Sequence, residues 1–218
     1  MLRGRDGLPG RDGLPGERGP VGLSGSTGPP GLRGPGSGGA LYTRWGKSSC
    51  PQVAGTELLY SGITGGTWYD QRGGGANYQC LPKDPEYSRS LRYRGGIIGF
   101  AHMYGAEYEV PMQGAHNHNV PCAVCYVSTR PSVVMIPAKA SCPPTWTREY
   151  YGYLMAEHYT HHRSTFECVD RDQQSLSDSV GDTNGALFYH IEVSCAHGHL
   201  PCPPYDQNRE LNCVVCTK

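Results

Sequence analysis

The sequence predicts two joined fold classes: a triple-helical segment at the N-terminal end, and behind it a β-rich, disulfide-bonded globular domain made of two similar halves. Three observations carry this. Glycine recurs at every third position up to residue 34. The composition changes abruptly near residue 40, with 14 glycines and 6 prolines before it and all 10 cysteines, all 15 tyrosines and all 3 tryptophans after it. The cysteines of the second region fall into two sets that echo each other.

The period of three comes first. Gly4, Gly7, Gly10, Gly13, Gly16, Gly19, Gly22, Gly25, Gly28, Gly31 and Gly34 hold it without a miss. Three polyproline II chains wind together only where every third residue lacks a side chain, because that residue sits at the crowded axis. This is the collagen Gly-X-Y pattern; a flexible Gly/Pro linker has no reason to keep such a period. Pro9, Pro15 and Pro30 occupy the third place of their triplets and are the hydroxyproline candidates. Only one triplet is Gly-Pro-Pro, so the segment by itself is expected to be marginally stable. Gly34-Pro35-Gly36 breaks the period. The expected organisation is a Gly-X-Y segment at 1–36, a flexible joint at 37–47 and a non-collagenous domain at 48–218.

Within the triplets, Gly13-Leu14-Pro15-Gly16-Glu17-Arg18 resembles the hexapeptides by which collagen-binding integrins grip fibrillar collagens. There a carboxylate completes the shell of a receptor Mg²⁺, as a hard oxygen ligand should. Glu17 and Arg18 are the candidate receptor contacts; an ordinary charged triplet is the preferred reading of them.

The globular region repeats itself. Its first copy runs Cys50-Pro51, Cys80, Ala115-His116-Asn117-His118 and Cys122-x-x-Cys125; its second runs Cys142-Pro143, Cys168, Ala196-His197-Gly198-His199 and Cys213-x-x-Cys216. From first to last cysteine the copies span 76 and 75 residues, counted inclusively, which an internal duplication explains. The halves are assigned to 50–130 and 140–218. The second copy adds Cys195 and Cys202, close enough to bridge a local loop. Between the copies, Val133-Val134-Met135-Ile136 is expected to be a strand joining the halves. Leu187, Tyr189, Ile191 and Val193 alternate with Phe188, His190 and Glu192, and Ile97–Phe100 precedes the similar Glu107-Tyr108-Glu109-Val110. The only helix-like stretch is Tyr153 to His162.

An even cysteine count in a chain that carries collagen triplets points to an oxidising compartment and a bridged framework rather than zinc or redox thiols. The formal net charge is zero, which gives no basic surface for nucleic acid. No stretch approaches the ~20 apolar residues of a membrane span. Met1-Leu2-Arg3 runs directly into a triplet with no signal peptide, and an incomplete N-terminus is the expectation.

The triplets followed by Cys142-Pro143, Tyr151-Gly152-Tyr153-Leu154-Met155, Asn184-Gly185-Ala186-Leu187-Phe188-Tyr189, Leu200-Pro201-Cys202-Pro203-Pro204-Tyr205 and Glu210-Leu211-Asn212-Cys213-Val214-Val215-Cys216 resemble the spongin-type short-chain collagens of invertebrates. A more distant similarity is to the C-terminal non-collagenous domain of type IV collagen, also a duplicated β-rich unit. That resemblance implies the pairs Cys142 with Cys216, Cys168 with Cys213 and Cys195 with Cys202. In the first half, which lacks the middle pair, it implies Cys50 with Cys125 and Cys80 with Cys122.

No catalytic residue is expected, since His-Glu-x-x-His, Gly-x-Ser-x-Gly and phosphate-binding loops are missing and each cysteine has a bridging partner. Gly73-Gly74-Gly75 reads as a flexible turn. The histidines His116/His118, His197/His199 and His158, His161, His162 beside Glu157 read as loop or cross-strand residues before they read as metal ligands, and no metal or cofactor is assigned. The expected function is a secreted, structural matrix collagen whose C-terminal domain directs trimerisation and network assembly. Its partners would be two further collagen chains, other matrix proteins and integrin-type receptors, with no nucleic acid and no membrane insertion. The rival is a soluble, collagen-stalked recognition protein of the collectin or complement kind, against which the lack of Glu-Pro-Asn and Trp-Asn-Asp lectin motifs counts.

Overall fold

The computed structural model describes residues 7, 8, 10–13, 16–19, 21, 22, 25, 26, 38–87, 101–111, 114–177, 179, 181–196 and 200–218. The chain divides into two compact units, Met1–Gly36 and Ser37–Lys218. In the first, the described residues are exposed and form neither helix nor strand. Nothing lies within 4 Å of where a Cβ would sit on Gly7, Gly10, Gly13, Gly16, Gly19, Gly22 or Gly25. The glycines at 4, 28, 31 and 34, with Pro9, Pro15 and Pro30, are outside the described residues.

The second unit holds ten strands: β1 Ala40–Trp45, β2 Thr56–Gly66, β3 Gln79–Pro82, β4 Tyr104–Tyr108, β5 Pro121–Val127, β6 Val133–Pro137, β7 Thr147–Ala156, β8 Glu167–Asp170, β9 Ala186–His190 and β10 Asn212–Thr217. Seven of them close a ring in the order β7, β8, β1, β5, β2, β4, β9 and back to β7. Closure removes the free edges that an open sheet would expose. Three strands lie outside the ring. β3 hangs on β2, β10 on β7, and β6 on β10.

Strand by strand, the two halves are the same object. In the first, β5 pairs antiparallel with β1 and β2, and β2 with β3 and β4. In the second, β10 pairs antiparallel with β6 and β7, and β7 with β8 and β9. Both long strands carry a bulge at the same place: the β2–β5 register skips Leu59, and the β7–β10 register skips Glu149. One residue later, the Tyr60 hydroxyl donates to the Cys80 carbonyl and the Tyr150 hydroxyl to the Cys168 carbonyl. Two residues on, Gly62 and Gly152 let the neighbouring strand approach; a Cβ there would run into the carbonyls of Leu81 and Val169. Asn117 and Asn208 take left-handed φ of 60° and 59° at matching turns, which asparagine tolerates better than most residues.

The structure redraws several sequence boundaries. The joint expected at 37–47 contains β1, whose Ala40, Tyr42 and Trp45 are buried and make it a core strand despite the preceding glycines. Val133–Pro137 is a strand, but it pairs with β10 and belongs wholly to the second half. The repeating unit therefore starts at Ala40 and Val133, ahead of the 50–130 and 140–218 boundaries that the cysteines suggested. The helix-like stretch from Tyr153 is the end of β7 followed by turns, because cross-strand bonds to β8 and β10 outweigh a weak helical pattern. In β9 the expected alternation fails, since Leu187 and Phe188 are both fully buried between flanking strands. Ile97 to Phe100 lie outside the described residues.

The core has two clusters. One gathers Trp45, Tyr78, Tyr108, Val120, Met155, Val169 and Phe188, with Tyr78 and Phe188 stacked at 4.1 Å between ring centroids. The other gathers Tyr42, Val127, Tyr150, Leu154 and Val215 around cysteines of both halves. The buried tyrosine hydroxyls all find acceptors: Tyr78 donates to the Leu187 carbonyl and Tyr108 to that of Gln174. Burial raises the pKa of Tyr42, Tyr78, Tyr108 and Tyr150 far above the ordinary phenol value.

Candidate functional site

Five disulfides staple the domain. Cys50 is bonded to Cys125, Cys80 to Cys122, Cys142 to Cys216, Cys168 to Cys213 and Cys195 to Cys202, leaving no free cysteine among the described residues. These are the five pairs that the resemblance implies. Each half ties its first cysteine to its last and its second to the first member of Cys-x-x-Cys, with sequence separations of 75 and 42 in one half against 74 and 45 in the other. No bridge crosses between halves.

What joins the halves is two parallel seams. In the first, Trp45 of β1 pairs with Val169 of β8. The indole N–H donates to Glu167 Oε2 at 2.8 Å, and the Arg44 guanidinium grips Asp170 Oδ2 through Nε at 2.8 Å and Nη2 at 2.7 Å. In the second, Ala106–Tyr108 of β4 run beside Ala186–Phe188 of β9. A buried carboxylate adds a third tie. Glu149 accepts from Tyr42 and Thr56 of the first half, from Thr217 of the second, and from Arg130 of the connection between them.

Both seams use one set of edges from the first half and the other set from the second, and each has a repeat-related counterpart. Opposite the equivalent cysteines Cys122 and Cys213 stand Trp45 and Pro137, so β6 corresponds to β1. After the equivalent Cys80 and Cys168 come Leu81 and Val169, so β3 corresponds to β8. Val120 N–H donates to Ala106 O as Leu211 N–H donates to Ile191 O, and Tyr108 N–H to His118 O as Val193 N–H to Arg209 O. Residues 191–193 therefore match 106–108, and 101–103 match 186–188. Among the described residues, β3 pairs with β2 alone and β6 with β10 alone. Exposed apolar side chains stand on two of these counterpart edges: Val133 and Val134 are each 38% accessible and Met103 is 52%. Val133, Val134 and Met135 also line a cleft of about 310 Å³ with Tyr42, Trp45 and Tyr150.

A second cleft, of about 370 Å³, lies between the loops that follow β2 and β7. Trp68 and Tyr69 form one wall and His161 packs on Tyr69 at 4.5 Å between centroids. Glu157, at its base, accepts the Leu187 N–H on Oε1 and faces His161 Nδ1 on Oε2 at 3.1 Å. Burial pushes the Glu157 carboxyl up to about 7, and the Leu187 N–H pulls the other way. Burial also lowers His161.

The remaining sequence candidates scatter. Glu17 and Arg18 are exposed in the first unit. His116 sits 4.0 Å from Glu109, His118 bonds its own turn, and His197 and His199 are outside the described residues. The helix that would have aligned His158, His161 and His162 is not there. Among the described residues no group of three or more His, Cys, Asp or Glu is placed to hold a metal ion, and no helix is long and apolar enough to cross a membrane. Sequence reading missed the seams and the Arg130–Glu149 tie; aligning the halves on Tyr60-x-Gly62 and Tyr150-x-Gly152 would have located the bulge that carries Glu149.

No known family model matches the chain. Five disulfides in a β-rich domain are compatible with an extracellular protein.

Proposed function

We propose that the protein is a structural collagen of the extracellular matrix, in which the Gly-X-Y segment winds with two further chains and the disulfide-bonded domain directs that trimerisation and the assembly of a network. The observation that carries this is the unequal use of a duplicated edge. One copy of the half-to-half edges is paired within the chain; in the second copy, β3 with 101–103 on one half and β6 with 191–193 on the other, no edge pairs with the opposite half among the described residues. A second chain offers the missing strands at the geometry the first seam already uses. Such a contact joins unlike surfaces, so it propagates head to tail and ends only when a ring closes. The triplet period calls for three chains, and three chains supply six halves for that ring. Substitution for the Gly-X-Y glycines would then act on triple-helix stability, and substitution at β3 or β6 on assembly.

Sedimentation of the oxidised chain tests the proposal. The expected result is a trimer at micromolar concentration that Val133→Lys/Val134→Lys converts to a folded monomer with native disulfides. A wild-type monomer, or a trimer indifferent to the β6 charges, would overturn it.

A further inference from the structure

The cleft between the β2 and β7 loops is lined by residues other than those of the assembly edges, and its chemistry is that of a binding site. It is preformed. Thr67 Oγ1 donates to the Gly75 carbonyl at 2.6 Å, Tyr69 N–H to Gly185 O at 2.9 Å and His162 N–H to Tyr69 O at 3.0 Å. Those bonds tie each loop to the other and to the start of β9. At about 370 Å³ it falls within the size range of small-ligand sites.

Its polar groups divide into two kinds. Those at the base are already used: the Tyr78 hydroxyl donates to Leu187 O and accepts from Ser164 Oγ, and both oxygens of Glu157 face donors. Those at the mouth are not. The guanidinium groups of Arg72 and Arg163 line the cleft and make no hydrogen bond or ion pair with any described residue. Among the open side chains of the lining, Arg72 and Arg163 carry formal charge, and that charge is positive. Beside them stand the half-buried rings of Trp68 and Tyr69, Trp68 being held edge-on by Tyr104 at 5.1 Å. A fixed aromatic wall takes the apolar face of a sugar ring, while a guanidinium fork matches the paired oxygens of a carboxylate or sulfate. An anionic peptide would use the arginines and leave the wall idle.

We infer that this cleft binds an acidic saccharide, a sugar chain bearing sulfate or carboxylate groups, with Arg72 and Arg163 on the anionic groups and Trp68 and Tyr69 against a ring face. Such chains are matrix components, so the site would fasten the domain to polysaccharide without engaging the edges that join chain to chain.

Calorimetric titration of the oxidised full chain with a heparin octasaccharide, a hyaluronan octasaccharide and an octameric glutamate peptide tests this. The expected result is saturable binding of at least one saccharide, at least tenfold weaker in Arg72→Ala/Arg163→Ala and in Trp68→Ala, with the peptide at least tenfold weaker than the better saccharide. Preference for heparin assigns sulfate, and preference for hyaluronan assigns carboxylate. The control Arg5→Ala/Arg11→Ala removes the same charge from the triplets and should leave affinity within twofold. Absence of saccharide binding, equal loss in that control, insensitivity to Trp68→Ala, or a peptide that binds as well would each overturn the assignment. The sedimentation state of the variants should match wild type, which separates failure here from failure of the assembly proposal.

Discussion

Replacing Glu149 by alanine removes a carboxylate that is wholly buried and fully committed. Its Oε2 accepts from the Tyr42 hydroxyl at 3.0 Å and Thr56 at 2.9 Å; its Oε1 accepts from Arg130 Nη2 at 3.0 Å and Thr217 at 2.6 Å. Arg130 in turn donates to Thr217 Oγ1 and Thr56 Oγ1 and to the Ala54 carbonyl. Its side chain is 16% accessible and that of Glu149 is 0%. The alanine variant therefore leaves a largely buried guanidinium without its counter-charge and a buried phenol without its acceptor. Removing one partner of a buried pair costs about 3–5 kcal/mol, and the orphaned Tyr42 hydroxyl places this variant toward the upper end, at about 4 kcal/mol. Arg130→Ala should cost less, about 2–3 kcal/mol, because three hydroxyls still solvate the carboxylate. If the pair acts as a unit, the double variant should be less costly than the sum of the singles by about 2 kcal/mol. Urea unfolding of the oxidised chain, followed by tryptophan fluorescence, measures all three. A cost below about 1 kcal/mol for Glu149→Ala, or strict additivity in the double variant, would refute the view that this network ties the halves together.

Other consequences are as direct. Replacing Cys80 and Cys122 by alanine opens a loop with a sequence separation of 42 and should cost about 4 kcal/mol, against about 2.5 kcal/mol for the local Cys195–Cys202 bridge; paired denaturation curves compare them. Gly152→Ala should destabilise by more than about 3 kcal/mol, because a Cβ there meets the Val169 carbonyl and the Arg171 amide, backbone atoms that cannot swing aside. Gly62→Ala should reproduce the defect in the first half, and a tolerated alanine at either site would contradict the strand spacing. The raised Glu157 pKa makes stability fall as pH climbs from about 4.5 to about 7 and level off above. Glu157→Gln should flatten that slope by about 2 kcal/mol, a figure reduced for water entering the cleft, in melting temperatures taken across pH 5 to 8. The lowered His161 works in the opposite sense as pH rises toward 6.5, so the wild-type minus variant difference is the quantity to read.

The sequence by itself determined the parts whose signal is local or periodic. The even and duplicated cysteines announced a bridged repeat, and β6 is legible because Val133-Val134-Met135-Ile136 is a short apolar run. Whatever depends on two distant segments meeting was decided by the tertiary structure alone. β1 reads as linker until Trp45 is seen against Val169 and Glu167, more than a hundred residues away. Glu149 looks like an ordinary exposed-face charge in a strand, and only the bulge turns it inward to Tyr42, Thr56, Arg130 and Thr217. Trp68, Arg72 and Arg163 share a cleft because two loops of different halves are tied by backbone hydrogen bonds, which leave no pattern in composition or spacing. The same holds for the edges of β3 and β6 that meet no second strand among the described residues. The duplication was visible in the cysteines, but that one copy of its edges is paired between the halves while the other copy finds no such pairing among the described residues follows from which strands close the ring, and strand order is a property of the folded chain.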